Sequence, residues 1–159
     1  TDSMRKSDTE ITDFQAVVRL LAQCDTISLG LRGAEYPYVV PLSFGMEVQD
    51  GKIVLYFHGA GEGLKHDLIA ADDRVCVEAD VFRGYRGTGH SVTADYKSVI
   101  GFGTVERVDA FEERVKGLQL LLEHCDATEY SAEECALVPR TVIYKITLDR
   151  VTGKQRFAD

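Results

Sequence analysis

Residues 36–45, YPYVVPLSFG, and residues 55–67, LYFHGAGEGLKHD, decide how this chain is read. The first is a β-branched and aromatic run interrupted by Pro41. Proline has no amide donor, so its strand must lie at an edge, at a bulge, or beside something other than another strand, such as a planar ligand. The second begins as a strand, passes through Gly59, Gly61 and Gly63, and continues into LKHDLIAA, which reads as the first turns of a helix. Glycines let a backbone approach an anion closely, a helix N-terminus offers unpaired N–H groups, and Lys65 adds a positive charge. The turn is suited to holding a phosphate. His58, at the end of the strand, stands at the mouth of that site with a side chain that changes charge near neutral pH.

Working outward, β-branched and aromatic runs recur at 26–32 (TISLGLR), 38–48 (YVVPLSFGMEV), 52–58 (KIVLYFH), 74–82 (RVCVEADVF), 96–108 (YKSVIGFGTVERV) and 141–153 (TVIYKITLDRVTG). Six strands follow. Gln49-Asp50-Gly51 is a hairpin signal between the second and third, and residues 32–35 with Gly33 join the first and second. Strands with one apolar face need a second sheet or closure on themselves, and closure also removes exposed edges, so a small antiparallel barrel is expected. Phe14, Val17, Val18 and Leu21 predict an amphipathic helix over 12–24 after Thr12 and Asp13. A second follows a capping arrangement of Asp109 and Glu112, with Phe111, Val115, Leu118, Leu122 and Cys125 on one face. A short helical turn is expected from Ser131 to Glu134. Residues 83–91, RGYRGTGHS, read as a surface hairpin loop, with a binding lid as the alternative.

With 159 residues and 45% hydrophobic content, the chain is expected to form one domain over 1–159, with residues 1–9 disordered or an added tag. A net charge of −8 with scattered Lys and Arg argues against nucleic acid or an anionic membrane as partner and favours a small molecule. No membrane-length apolar run or secretory signal is seen, so a cytoplasmic location is expected. Cys24, Cys76, Cys125 and Cys135 form no CxxC pair, which leaves no zinc site or disulfide framework; Cys76 and Cys125 read as small core residues. There is no HExxH, GxSxG, Walker P-loop or βαβ GxGxxG.

The order of YPYVVPLSFG, LYFH, GxGxK, helix and then YKSVIGFG resembles the flavin-binding split barrels, and among them the Nim-type (5-nitroimidazole resistance) proteins of the pyridoxamine 5'-phosphate oxidase-like superfamily. The resemblance runs from about Glu10 to Lys154. It implies a mainly β fold with flanking helices, a six-stranded antiparallel split β-barrel, and a homodimer with flavin at the interface. The cofactor implied is FMN, with FAD as the alternative and NADH or NADPH as electron donor. The resemblance assigns ring contacts to Val40, Pro41, Leu42, Ser43, Phe57 and His58, and phosphate contacts to the Gly63 backbone and Lys65. Ser98 and Val99 are placed near the cofactor, often from the partner subunit, with Tyr96 and Lys97 flanking; curvature supplied by Gly101 and Gly103 is the competing explanation for that strand. The activity implied is transfer of electrons or hydride to a small acceptor of the nitroaromatic type, with His58 as the catalytic residue. Pyridoxamine-phosphate oxidation itself is disfavoured, because the Arg-Leu-x-Pro-x-Arg motif of that enzyme is absent and the tail reads VTGKQRFAD. The alternatives are a flavin-binding or flavin-sensing protein without turnover, and a haem-handling relative with His58 or His90 on iron. His66 and Asp67 read as helix surface, and His90 and His124 as weaker site residues.

Overall fold

The structure, a computed structural model, describes residues 7–157. The expectation for residues 1–9 therefore lies outside the described residues for 1–6. Ser7–Thr9 form a 3-10 turn, and Glu10–Ile11 (β1) pair with Lys154 and Gly153 near the other end of the chain. Helix α1, Phe14–Gln23, is capped by the Asp13 carboxylate accepting from the Gln15 N–H, and buries Val17, Leu20 and Leu21.

The remaining strands are β2 Thr26–Leu31, β3 Tyr38–Ser43, β4 Gly45–Gln49, β5 Lys52–Gly59, β6 Arg74–Gly87, β7 Val92–Val108 and β8 Val142–Gln155. They pair in the order β3-β2-β6-β7-β8-β5-β4. Only Phe44 separates β3 from β4, so the two are halves of one bent strand: the first half pairs with β2, the second with β5. That bend closes the sheet into a barrel. Counted this way, and leaving aside the two-residue β1, the barrel has the six antiparallel strands expected from sequence. Gly45 sits where α3 (Phe111–His124) crosses the bend, and a Cβ there would come within 2.4 Å of the Leu121 nitrogen. Asp50 and Gly51 both have positive φ, as a tight hairpin with a right-handed twist requires.

β5 is buried on both faces over residues 53–57, which explains a continuous apolar run instead of an alternating one. Ile53, Leu55 and Phe57 face the barrel core; Val54 and Tyr56 face a second core built by α3 and α4 (Ala132–Ala136). The Ser131 cap holds, its hydroxyl accepting from the Glu134 N–H. The Asp109 cap does not: α3 begins after Ala110, and Asp109 pairs with Arg107 at 3.0 Å. The buried side of α3 is Gly117, Leu118 and Leu121, leaving Phe111 and Cys125 exposed, so Cys125 is not a core residue. Cys76 is half-buried and lines an outer groove with Gly30, Val39 and Phe102, so it too lies outside the core. His124 is half-buried: its Nε2 lies 2.6 Å from the Cys24 carbonyl, and its ring packs on Phe44 at 4.2 Å.

Residues 83–91 form a surface hairpin, as expected, of which only 88–91 are the turn. β6 runs to Gly87 and β7 starts at Val92, with a bulge between Phe82 and Gly84 and a tight turn closed by Thr88 N–H donating to the Ser91 carbonyl. The glycines of β7 are spent on strand packing: a Cβ at Gly103 would collide with the Thr147 carbonyl, and one at Gly101 with Leu148. No helix among the described residues is long and apolar enough to cross a membrane.

Candidate functional site

The closure of the barrel is incomplete beside the bend. β3 has β2 on one side and, among the described residues, no strand on the other. β5 outruns β4: the last pair is Gly45 with Tyr56, so Phe57, His58 and Gly59 pair with β8 on one side and, among the described residues, with no strand on the other. Two unpaired edges, 38–43 and 57–59, thus diverge from Phe44 and bound a cleft. Pro41 lies on the first of these edges, opposite Ser28 of β2, where a missing donor is tolerated.

Residues 59–63 turn at the cleft's end and lead into α2, Leu64–Ala71. Gly61 has φ +84° and Gly63, the helix N-cap, φ +109°, a region that L side chains rarely adopt. Gly63 offers no side-chain cap, and a Cβ there would meet nothing within 4 Å. The open end of α2 therefore presents first-turn N–H groups without a capping side chain. Lys65 stands in that turn, its Nζ 5.7 Å from the Phe57 ring centroid. Among the described residues no carboxylate pairs with it, and desolvation lowers its pKa. A cation at the positive end of a helix dipole is doubly unfavourable, and an anion bound there removes both penalties. A hollow of about 320 Å³ between Tyr36, Pro37, Tyr38 and Leu64, Leu68 extends the cleft past the helix start.

His58 shares a face of β5 with Val54 and Tyr56 but lies beyond their cover and is exposed. Partial desolvation of its imidazole, and then the Lys65 charge, push its pKa down, so the ring is neutral at physiological pH. The two side chains are coupled electrostatically at the cleft's rim.

Strand alternation divides the other expected contacts. Pro41 and Ser43 are exposed, whereas Leu42 is buried and Val40 packs against the core. Phe57 is buried against Tyr144 at 5.2 Å, and Val99 is buried in the barrel. Leu42 and Phe57 therefore offer a cleft ligand backbone atoms, not side chains. Ser98 and Val99 are not brought to the cleft within this chain. Ser98 pairs with Asp80, whereas Ser43 pairs with Thr26 of β2, so the two lie three strands apart, about 14 Å along the sheet. Lys97 is buried with its Nζ 5.0 Å from Phe157, also away from the cleft. His90 is exposed at the tip of the β6–β7 hairpin.

Sequence reading missed His66 and Tyr144. His66 is buried, 9% exposed, with Nδ1 2.6 Å from the Tyr144 hydroxyl and Nε2 accepting the Gly61 N–H at 3.2 Å. A Cβ on Gly59 would stand 2.9 Å from the His66 Cε1, so the glycine is required by the imidazole beneath it. The available signal was spacing: His66 and Ile69 are three apart on one helix face, and both are buried.

The family model for pyridoxamine 5'-phosphate oxidase matches residues 13–155. No curated protein matches the sequence. Among solved structures, a candidate 5-nitroimidazole antibiotic resistance protein from Bacteroides thetaiotaomicron superposes with a TM-score of 0.80 at 27% identity, over 91% of this chain and 85% of its own. The flavocytochrome Anf3 from Azotobacter vinelandii superposes at 0.79 with 16% identity, over 99% of this chain and 75% of its own. An FAD- and haem-binding protein from Mycobacterium smegmatis also superposes at 0.79, with 19% identity, over 94% and 74%. At those last two identities the likeness is one of fold.

Proposed function

The chain belongs to the pyridoxamine 5'-phosphate oxidase family, and from that premise we propose that it is an FMN-dependent oxidoreductase that passes electrons or hydride to a small acceptor. The observation that carries the reading is Lys65: a desolvated cation without a carboxylate partner among the described residues, at the open head of α2, beside a glycine turn whose Cβ positions are free at Gly63. The flavin phosphate is the anion that fits this place. The open edge of β3 offers backbone groups to a planar ring, with Pro41 and Ser43 exposed beside it and the Val40 and Leu42 side chains holding the strand on the core.

When bound, FMN supplies the two-electron chemistry between a nicotinamide donor and the acceptor. The chain's own task is to hold the phosphate, orient the ring and control access. His58, neutral and exposed at the rim, presents a hydrogen-bonding imidazole to ring or acceptor. Ser98 and Val99, remote from the cleft in their own chain, reach it from the second copy in a homodimer with the cofactor at the interface. The likeness to the Bacteroides protein makes nitroaromatics the acceptors to test first. A pyridine-nucleotide donor suits a cytoplasmic setting.

The test is an absorbance spectrum after incubation with FMN and desalting, followed by anaerobic NADH or NADPH. Retained bands that bleach, and recover on adding a nitroaromatic, are expected. Retained bands that no donor or dithionite-prereduced turnover can connect to an acceptor favour a flavin-binding protein, and a haem Soret band instead of flavin bands overturns the proposal.

A further inference from the structure

His66 does not belong to the cleft surface, yet it touches the turn that builds it. The Gly61 N–H points at Nε2, and an imidazole nitrogen that accepts carries no proton. The neutral ring must then hold its proton on Nδ1 and donate it to the Tyr144 hydroxyl, 2.6 Å away. Tyr144 is buried and fixed by the stacked Phe57 ring, so the tautomer is set from the barrel core. The chain of contacts runs from β8 through Tyr144 and His66 to Gly61, in the middle of the turn that connects β5 to Lys65.

We propose that His66 is a positioning residue that holds the 59–63 turn in its ligand-ready form only while its imidazole is neutral, so that retention of a phosphate-bearing ligand at the cleft falls as pH drops. The proposal rests on the phosphate reading of the turn given above. Protonation places a hydrogen on Nε2, facing the Gly61 N–H; two donors then oppose each other and the turn must move off the imidazole. Gly61 has little freedom to accommodate, because a Cβ-sized space beside it is already taken by the Val142 Cγ2.

The charged and titratable groups around the ring are Lys65 and Asp67 from α2, Glu62 from the turn, Arg107 from β7 and Tyr144 from β8. Burial, followed by Lys65, keeps the imidazole pKa below its ordinary value, and Asp67 and Glu62 oppose that only in part. An imidazolium also attracts an anion, which on its own would strengthen binding at low pH. Geometry and charge therefore give opposite signs, and the sign is measurable.

The experiment compares wild type, His66→Gln and His66→Leu between pH 5 and 8. Gln keeps an acceptor near the Nε2 position but does not titrate; Leu removes it. From pH 7.5 to 5 the FMN affinity of wild type is expected to fall at least threefold more than that of His66→Gln, whose profile carries only the protonation of the FMN phosphate and of groups common to both, and His66→Leu is expected to be at least tenfold weaker than wild type at pH 7.5. FMN binding that strengthens on acidification, or a His66→Gln profile parallel to wild type, overturns the proposal. In parallel, hydrogen exchange of the Gly61 amide is followed in the ligand-free protein. Its protection, corrected for intrinsic exchange, should decline with pH in wild type and not in His66→Gln. This second readout separates the two claims: absence of FMN binding at pH 7.5 defeats the phosphate reading, while an amide whose protection ignores His66 defeats the brace.

Discussion

The Lys65 ammonium lies 5.7 Å from the centroid of the Phe57 ring, and that ring stacks on Tyr144 at 5.2 Å. The cation is therefore carried over apolar surface continuous with the barrel core, with no carboxylate to neutralise it among the described residues. On the reading proposed above, that charge meets the flavin phosphate. Truncation of Lys65 to Ala should weaken FMN binding about 10- to 100-fold, since a charge-assisted hydrogen bond contributes about 1.5–3 kcal/mol. Riboflavin, which lacks the phosphate, should be affected less than threefold, and the melting temperature should not fall. Fluorescence titration with both flavins checks this.

His58 predicts a different pattern. His58→Ala should keep FMN occupancy while lowering the rate of acceptor reduction by about 10²-fold or more, within the range of a lost proton-transfer or hydrogen-bonding group. Because desolvation and Lys65 depress its pKa, the decline of the wild-type rate on acidification should be centred below the ordinary histidine pKa. Steady-state rates across pH 5–8, with occupancy measured at each point, decide whether His58 stays on the catalytic list.

The turn itself makes a stability prediction. Gly61→Ala places a Cβ 2.8 Å from the Val142 Cγ2 on a backbone with φ +84°, whereas Gly51→Ala at φ +76° meets nothing within 4 Å. Both pay a conformational cost of about 1 kcal/mol. Only Gly61→Ala adds a steric term, so its loss in urea denaturation should exceed that of Gly51→Ala by about 1 kcal/mol or more.

Acid should destabilise the fold through the same histidines. The pKa values of His58 and His66 are lowered in the folded state, so as pH falls below about 6.5 the unfolded chain takes up protons first. Stability contributed by the neutral rings is present above that pH and is lost as pH falls toward the depressed folded values. The slope of unfolding free energy against pH between 6.5 and 5 should be positive, and shallower in His66→Gln.

Thiol reactivity should follow burial. Cys24 is buried, its thiol donating to the Leu20 carbonyl at 3.3 Å, and burial followed by Asp80 pushes its pKa up to about 11. Iodoacetamide at pH 8 should label exposed Cys125 in the native protein and reach Cys24 only on unfolding. Mass mapping of the alkylated peptides reads this directly.

The fold was largely legible because its signals are local. β-branched runs, the Asp50-Gly51 hairpin and the Asp13 and Ser131 caps each act within a few residues, and the six strands and the helices follow from them. What local signals do not carry is which face a residue takes. Phe57 and Val99 read as ligand contacts because they lie in the right strands, but alternation turns their side chains into the core. The hairpin at 83–91 was legible, but its three glycines suggested a wider break than there is, because cross-strand pairing to residues 92–95 keeps 84–87 extended. His66 was misread for a related reason: its partner, Tyr144, lies 78 residues away, and only the assembled barrel brings the two together. The glycine turn and the helix that follows it were legible because both are written in contiguous residues.

The most direct test of the central claim is a paired titration of the wild-type protein with FMN and riboflavin at pH 7.5. A cleft built around the head of α2 and Lys65 predicts one FMN per chain, with riboflavin at least tenfold weaker. Equal affinity for the two, or no binding of FMN, would contradict the assignment of the 59–65 turn as a phosphate site.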